Sequence, residues 1–506
     1  MPSKLTKKQL GKRLVIGGLL FIAFVLFFLS RNIIRAPSFA ELLPAQSTAA
    51  LFEFPSDATE EIQTYFQDTV GLNWKMLTPW IGDRAAVAIL QNEDTQTTTP
   101  LLIFRIQSIE RAYEFAKSFR NPIGKIDKIQ IKNITAFSTP ALHFVFLSDN
   151  LLIAPTAKDL LKVLENQSVF EKHLSGEADF KKIQQSISGE YQLYIKPDLI
   201  SESAFSPFLN SFLTKGAYLT TTYRVVGVGA STEDNSTWRG SSYATHKTLL
   251  PEFEKKPYRA ELLKFIPQNP DFLITGQDLA RQIEQIEALQ SGNSEKATLK
   301  KLLQNYSNNY LGNLDLITVG AHLFTEDFAY SIEENKKLFI AQIPTDSKDV
   351  IKNFRGAFTG EAAQRTTTQR EVTLPDGTLA YEKIANPEGV KSTSTEFNDV
   401  QIYGIEYGTN ERWYDATFKN IWIIGDNLIS VEKTIARIKS SESEFQSGDA
   451  YKNFLQPILK NPDFIGFGKD DKYTLGISKR TFFDHMESNF MVEFTGVKSL
   501  TEDDLP

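Results

Sequence analysis

One pattern of apolar strands, polar turns and helical stripes is written twice in this 506-residue chain, and that duplication restricts the fold more than any other feature. Leu43-Pro44 precedes an apolar segment at 49–54, and Ile266-Pro267 precedes Phe272, Leu273 and Ile274. Trp80-Ile81-Gly82-Asp83 leads into 85–90, as Leu323-Phe324-Thr325-Glu326 leads into 328–332. A further strand follows in each copy, 101–106 against 338–343, and then a helix marked by Phe115 and Phe119 or by Phe354 and Phe358. Ile129-Gln130-Ile131 with Ile134 matches Val400-Gln401-Ile402 with Ile405. Residues 144–153, around Asp149-Asn150, match 421–430, around Asp426-Asn427. Asp-Asn between apolar runs predicts a hairpin in both copies, because both residues tolerate the left-handed backbone of a tight turn.

Helices are expected next at Leu160, Leu161 and Leu164 and at Ile435 and Ile438, each followed by a second helix at 180–187 or 451–459. The first copy closes on strands at 217–230 and 238–245, the second on 473–477 and 490–494. Hairpins dominate and helices follow pairs of strands. This predicts the α+β class: two similar lobes of mainly antiparallel sheet with helices on one face. The copies are placed at residues 37–258 and 259–500, with an acidic tail at 501–506. Polar stretches at 95–99, 291–294 and 366–369 read as loop tips.

Ahead of the repeats lies an unbroken apolar run at 14–29, containing Leu14, Ile16, Leu19, Leu20, Phe21, Phe24, Leu26, Phe27, Phe28 and Leu29. As a helix it covers about 24 Å at roughly 1.5 Å per residue, and extension to residue 34 brings it to the roughly 30 Å of a hydrocarbon core. Arg31 can reach the headgroups from a helix end. Lys4, Lys7, Lys8, Lys12 and Arg13 precede the run, so residues 1–13 are expected as a cytoplasmic tail, 14–34 as a single-pass anchor, and the bulk of the chain outside the cell membrane. Ser38 and Ala40 offer the small-x-small pattern of a cleaved signal peptide; the length of the run and the intervening Arg31 and Arg35 favour an uncleaved anchor.

The chain has no cysteine, which excludes disulfides, thiol nucleophiles and zinc-thiolate sites, and leaves stability to a large core. Its 41% hydrophobic residues and 37 phenylalanines suffice for one. Residues 1–35 hold seven Lys/Arg and no acid, leaving 48 basic against 62 acidic residues. That acidic balance argues against nucleic acid as a partner.

No catalytic, cofactor-binding or metal-binding residues emerge. The histidines, His143, His173, His246, His322 and His485, are not at ligand spacing from one another. Gly227-x-Gly229 and Gly466-x-Gly468 lack the third glycine of a dinucleotide fingerprint and read as glycines in strands or bends. Gly468-Lys469 is followed by Asp470 where a phosphate loop needs Ser or Thr. Asp470-Asp471 reads as solvated loop charge, and Asp83 as a turn-capping aspartate.

The apolar run, Leu43-Pro44 with Ser47 and Thr48, Trp80-Ile81-Gly82-Asp83, and Asp149-Asn150-Leu151 before a Leu-rich helix together resemble the bacterial family known as domain of unknown function 3352. The resemblance covers most of residues 37–500 and implies an anchored extracytoplasmic protein with no defined catalytic residue; the second copy lacks Trp-Ile-Gly-Asp. The leading expectation is a non-enzymatic binding or scaffold module of the cell envelope, with an envelope protein or a lipid as partner. The alternatives are a carrier of apolar ligands and, less favoured, an envelope hydrolase working with paired carboxylates.

Overall fold

The computed structural model describes residues 38–57, 80–92, 97–108, 110, 127–131, 134–138, 142–166, 172–200, 223–232, 236–250, 258, 260–279, 281–282, 323–408, 411–441 and 443–495. The expected anchor, the basic tail and the acidic tail lie outside these residues, as do Phe115, Phe119 and His322. The described residues form a mainly antiparallel α+β structure with few helices. Contacts gather it into two compact units, the first ending at Leu51 and resuming over Pro55–Ala178, the second comprising Phe52–Phe54 and the chain from Asp179 onward.

In the first unit, β1 (Thr48–Pro55) pairs with β2 (Ile81–Gln91). Gln91 N–H donates to Ser47 O and Ser56 N–H to Asp83 O, so this pair too is antiparallel. β2 pairs with β3 (Thr98–Ile106), and β3 with β7 (Asn150–Ala154). β6 (His143–Leu147), β5 (Ile134–Ser138) and β4 (Asp127–Ile131) complete the order β1-β2-β3-β7-β6-β5-β4. A capped turn, α1 (Phe39–Leu42), precedes the sheet and α2 (Ala157–Asn166) follows it. Trp80 is buried, and β2 carries a bulge between Ile81 and Ala85. Asp83 is an exposed residue within this bulged strand rather than the turn cap expected from sequence.

The second unit begins its sheet with β8 (Tyr191–Ile195), β9 (Tyr223–Thr232) and β10 (Thr237–His246). β10 pairs with β22 (His485–Phe494), which pairs with β21 (Tyr473–Thr481), which pairs with β20 (Phe464–Lys469). From β20 the sheet passes to β11 (Phe272–Gln277), β12 (Asp327–Glu333) and β13 (Lys336–Gln342). It ends with β19 (Ile421–Gly425), β18 (Glu411–Phe418), β17 (Val400–Tyr407) and β16 (Val390–Phe397). The stretch β11-β12-β13-β19-β18-β17-β16 has the same strand order as the first unit's sheet. Tight turns with two consecutive left-handed residues join its hairpins: Glu334-Asn335, Asn398-Asp399 and Lys419-Asn420.

That order corrects three sequence expectations. Residues 129–131 lie on β4, at the end of the first sheet's order, whereas 400–402 lie on β17, whose place in the order is that of β5. The Asp-Asn hairpin holds once only. Ser148-Asp149 turns between β6 and β7, but Asp426-Asn427 leads from β19 into α5 (Leu428–Ser440), where Asn427 caps the helix by accepting from Ser430 N–H at 3.3 Å. The polar stretch at 366–369 opens β14 (Thr367–Thr373) rather than forming a loop tip. β14 pairs with β15 (Leu379–Ala385) around a Pro375-Asp376-Gly377 turn.

Helices cover both faces of the second unit's sheet, not the one face expected. Along β13, Leu338 and Ile340 pack under Val431 and Ile435 of α5. The alternate residues Phe339 and Ala341 join a cluster with Ile351, Phe354 and Phe358 of α4 (Lys348–Arg365). A strand apolar on both faces needs cover on both, since successive side chains point to opposite sides. At β9, Gly227 admits a helix at close range: a Cβ there would lie 2.1 Å from Ile183 Cγ2 on α3 (Ala178–Ser186). Gly227, Gly229, Gly466 and Gly468 are thus strand glycines, as read from sequence.

Candidate functional site

In the second unit, a small groove lies between α5 and the β12–β13 hairpin, lined by Pro267, Ser331, Glu333, Lys336, Leu338, Asn427, Ile429, Ser430, Lys433 and Arg437. Local periodicity explains the lining. Ser430, Lys433 and Arg437 recur at three and four residues and form one stripe of the helix, while Val431, Ile435 and Ile438 face the core. On the hairpin, Ser331 is opposite Leu338 and Glu333 opposite Lys336, so alternation puts all four on the face under α5. Asp426 ties the two walls together by accepting from Lys337 N–H at 2.9 Å.

The groove is electrostatically uneven, with three cations on its lining against the single carboxylate of Glu333. Lys336 Nζ donates to Glu334 at 2.7 Å; this bond holds the Lys336 ammonium above its ordinary pKa and the Glu334 carboxyl below it. Arg437 pairs with Glu444 at 2.7 Å. Lys433 is exposed, and its charge adds to the pull that lowers the Glu334 carboxyl's pKa. At the bottom, Ser331 is fully buried and its Oγ has no hydrogen-bond partner, an uncommon state for a polar group.

Elsewhere in the second unit the buried Asp415 is occupied. The Asp415 carboxylate, 0% exposed, accepts from Arg355 Nε at 2.8 Å and from its terminal nitrogen at 2.6 Å, and from Trp422 Nε1 at 2.9 Å. Burial pushes the Asp415 carboxyl upward against the opposing pull of Arg355. The guanidinium also stacks 3.8 Å over Tyr403. With both oxygens engaged, Asp415 reads as a core-fixing group.

A second cluster was invisible to local spacing. The β10–β22 register sets Thr245 against His485, which brings His246 and His485 together from opposite ends of the unit's sequence. His485 is sandwiched by Phe482 at 4.2 Å and Tyr243 at 4.8 Å, and its Nδ1 meets Asp484 at 2.5 Å. His246 is buried against Tyr223. Burial, aided by the charge of Lys479, takes its pKa down to about 4.

Among the described residues, no three His, Asp or Glu side chains gather closely enough to hold a metal ion. Asp470 accepts from Lys472 and Tyr473 N–H and so shapes the β20–β21 turn. No helix among the described residues is long and apolar enough to cross a membrane. The groove residues were not singled out from sequence. The stripe Ser430-Lys433-Arg437 carries the only local signal, and it resembles any solvated helix face.

Fold and groove together define a mainly antiparallel α+β protein with a small polar recess. The chain belongs to the family described as "Protein of unknown function (DUF3352)", whose model matches residues 23–373. No curated protein matches it. Among solved structures it is similar to crystal form IV of TP0453, with 10% identity and a TM-score of 0.28, over 42% of this chain and 81% of that one. Crystal form III of TP0453 gives 10% identity and a TM-score of 0.27, over 43% and 83%. Similarity at this level decides neither fold nor function.

Proposed function

We propose that this chain is a non-enzymatic binding module of the cell envelope, carried as two similar lobes on a single-pass anchor at 14–34 with its bulk outside the membrane. The observation that carries the binding reading is the groove beside α5: an open polar recess with Lys336, Lys433, Arg437 and one carboxylate, Glu333, on its lining. Hydrolysis by paired carboxylates needs two acids flanking one bond, and the buried candidate, Asp415, is taken up by Arg355 and Trp422. The matching strand order of β1–β7 and β11–β19 supports the two-lobe reading. The apolar run with its upstream lysines supports the anchor and its orientation.

Native mass spectrometry of residues 36–506, released from the host membrane by an engineered protease site, tests the reading. A discrete adduct lost on denaturation, with no turnover of that compound, is the expected result. Conversion of the bound compound by the released protein would overturn it, and a lipid-sized adduct would favour the carrier of apolar ligands.

A further inference from the structure

β16 is the last strand in the order of the second unit's sheet, and β17 is its one strand partner among the described residues. Its residues, Val390–Phe397, run in unbroken register with β17, without a proline or a bulge. Natural sheets usually block an open edge with those devices or with charges along it. Here the charges, Lys391 and Glu396, stand near the two ends, and the middle is Ser392-Thr393-Ser394-Thr395. Lys391, Ser392, Ser394, Thr395 and Glu396 are all exposed.

The hairpin decides which backbone groups stay open. Its two-residue turn, Asn398-Asp399 with both residues left-handed, closes on a hydrogen-bonded pair at Phe397 and Val400. Alternation then turns the N–H and C=O of Thr395, Thr393 and Lys391 toward β17, and those of Glu396, Ser394 and Ser392 outward. The outward groups of these three residues make no other hydrogen bond among the described residues. Val390, the next residue of the outward row, already donates its N–H to Pro387 O.

A row of open donors and acceptors along a strand is matched by another extended backbone. This row, spaced two residues apart and centred on Ser394, is its own complement. An antiparallel second copy of β16, related by a two-fold axis at Ser394, meets all of it. Ser394 lies opposite Ser394, and Ser392 opposite Glu396 on either side, which gives about six backbone hydrogen bonds. Moving the axis to Thr393 spends a partner on the occupied Val390 N–H, and moving it to Thr395 sets Ser392 against the turn at Asn398. The side chains agree with the Ser394 register. Ser392 faces Glu396, Thr393 faces Thr395 and Lys391 faces Phe397, so no like charges are opposed.

We propose that β16 pairs two copies of this chain edge to edge, antiparallel and centred on Ser394. Each copy uses its edge once, so the assembly closes as a dimer. A strand pair of this length buries less than the roughly 1,200 Å² of a stable interface, which makes the dimer reversible and dependent on concentration.

The test uses the full chain in dodecyl maltoside and exploits its lack of cysteine. In the proposed register the two Ser394 Cα atoms lie about 5.5 Å apart, within disulfide reach, and the two Lys391 Cα atoms about 20 Å apart. Under copper-phenanthroline oxidation Ser394→Cys should form a disulfide dimer at least about tenfold faster than Lys391→Cys, which is also exposed. Light scattering over a concentration series should show a monomer–dimer equilibrium that Ser394→Pro weakens by at least about tenfold. Proline at this position spares the β17 ladder, because the N–H it removes points outward, and an unchanged circular dichroism spectrum verifies the fold. A chain that stays monomeric, a dimer untouched by Ser394→Pro, or crosslinking no faster at 394 than at 391 overturns the proposal. In host membranes the Ser394→Cys product should have twice the mass of the chain; a product of another mass assigns the edge to a different protein's strand and overturns it as well.

Discussion

At the scale of single residues, the second unit stores its electrostatic information in two buried groups of opposite kind. His246 is neutral because its ring is 3% exposed and Lys479 adds positive potential, which together bring its pKa to about 4. The unfolded value is about 6.5. Between these values the unfolded chain binds the proton and the folded chain does not, so this contribution is complete above about pH 6.5 and drains away as pH falls toward 4. His246→Phe keeps a ring on Tyr223 and removes the titration. Its urea-unfolding free energy should therefore lose about 2 kcal/mol less than the parent's between pH 7 and pH 5. Identical pH profiles would show that His246 takes up its proton at the same pH in the folded and unfolded chains. Asp415 is the reverse case, a charge kept buried by its partners. Arg355→Met leaves the carboxylate with Trp422 alone and should cost about 3–5 kcal/mol in denaturant melts, while Asp415→Asn, which retains a hydrogen-bonding group, should cost less.

At the scale of elements, apolar periodicity was a good guide and turn chemistry a partial one. The strands around 49–54, 85–90, 101–106 and 328–332 and the helices at Leu160 and Ile435 form where their spacing places them. Polar strands escaped notice. β14 and β16 are mostly exposed, so nothing in their composition alternates, and the Pro375-Asp376-Gly377 turn was the signal that could have revealed the first of them. Asp-Asn misled at 426–427 because the same side chain that tolerates a hairpin also caps a helix, and the residues after it select the role. Glycines discriminate the packing further. Gly227→Ala drives a methyl group into Ile183 and should destabilise by about 1–3 kcal/mol. Gly356→Ala, in helix α4 with nothing within 4 Å of the new Cβ, should stabilise by about 0.5–1 kcal/mol. Thermal unfolding of the two variants should move in opposite directions; a stabilised Gly227→Ala would contradict the packing of α3 on β9.

At the scale of the whole molecule, the proposed orientation has its own test. The chain has no cysteine, and Ser447 is exposed at the end of a short helical turn, where its hydroxyl donates to the Glu444 carbonyl. Ser447→Cys should react with a membrane-impermeant maleimide on intact cells. Reaction only after lysis would place the bulk of the chain on the cytoplasmic side and remove the envelope reading. The candidate site belongs to this scale as well. Its lining draws on residues from Pro267 to Arg437, and no segment of that span carries a motif.

By itself the sequence determined the α+β character, the recurrence of one strand-and-helix pattern, the dependence on a cysteine-free core, and the family. The first three come from local periodicity and residue type, which record which face of an element is buried; the family comes from the resemblance of short motifs such as Trp80-Ile81-Gly82-Asp83. Only the tertiary structure decided which strands are neighbours, that α4 and α5 cover opposite faces of one sheet, that His246 meets His485, and that Ser331 shares a recess with Lys433. Periodicity says that a face is covered and is silent about what covers it. That partner is selected by packing between segments far apart in the chain.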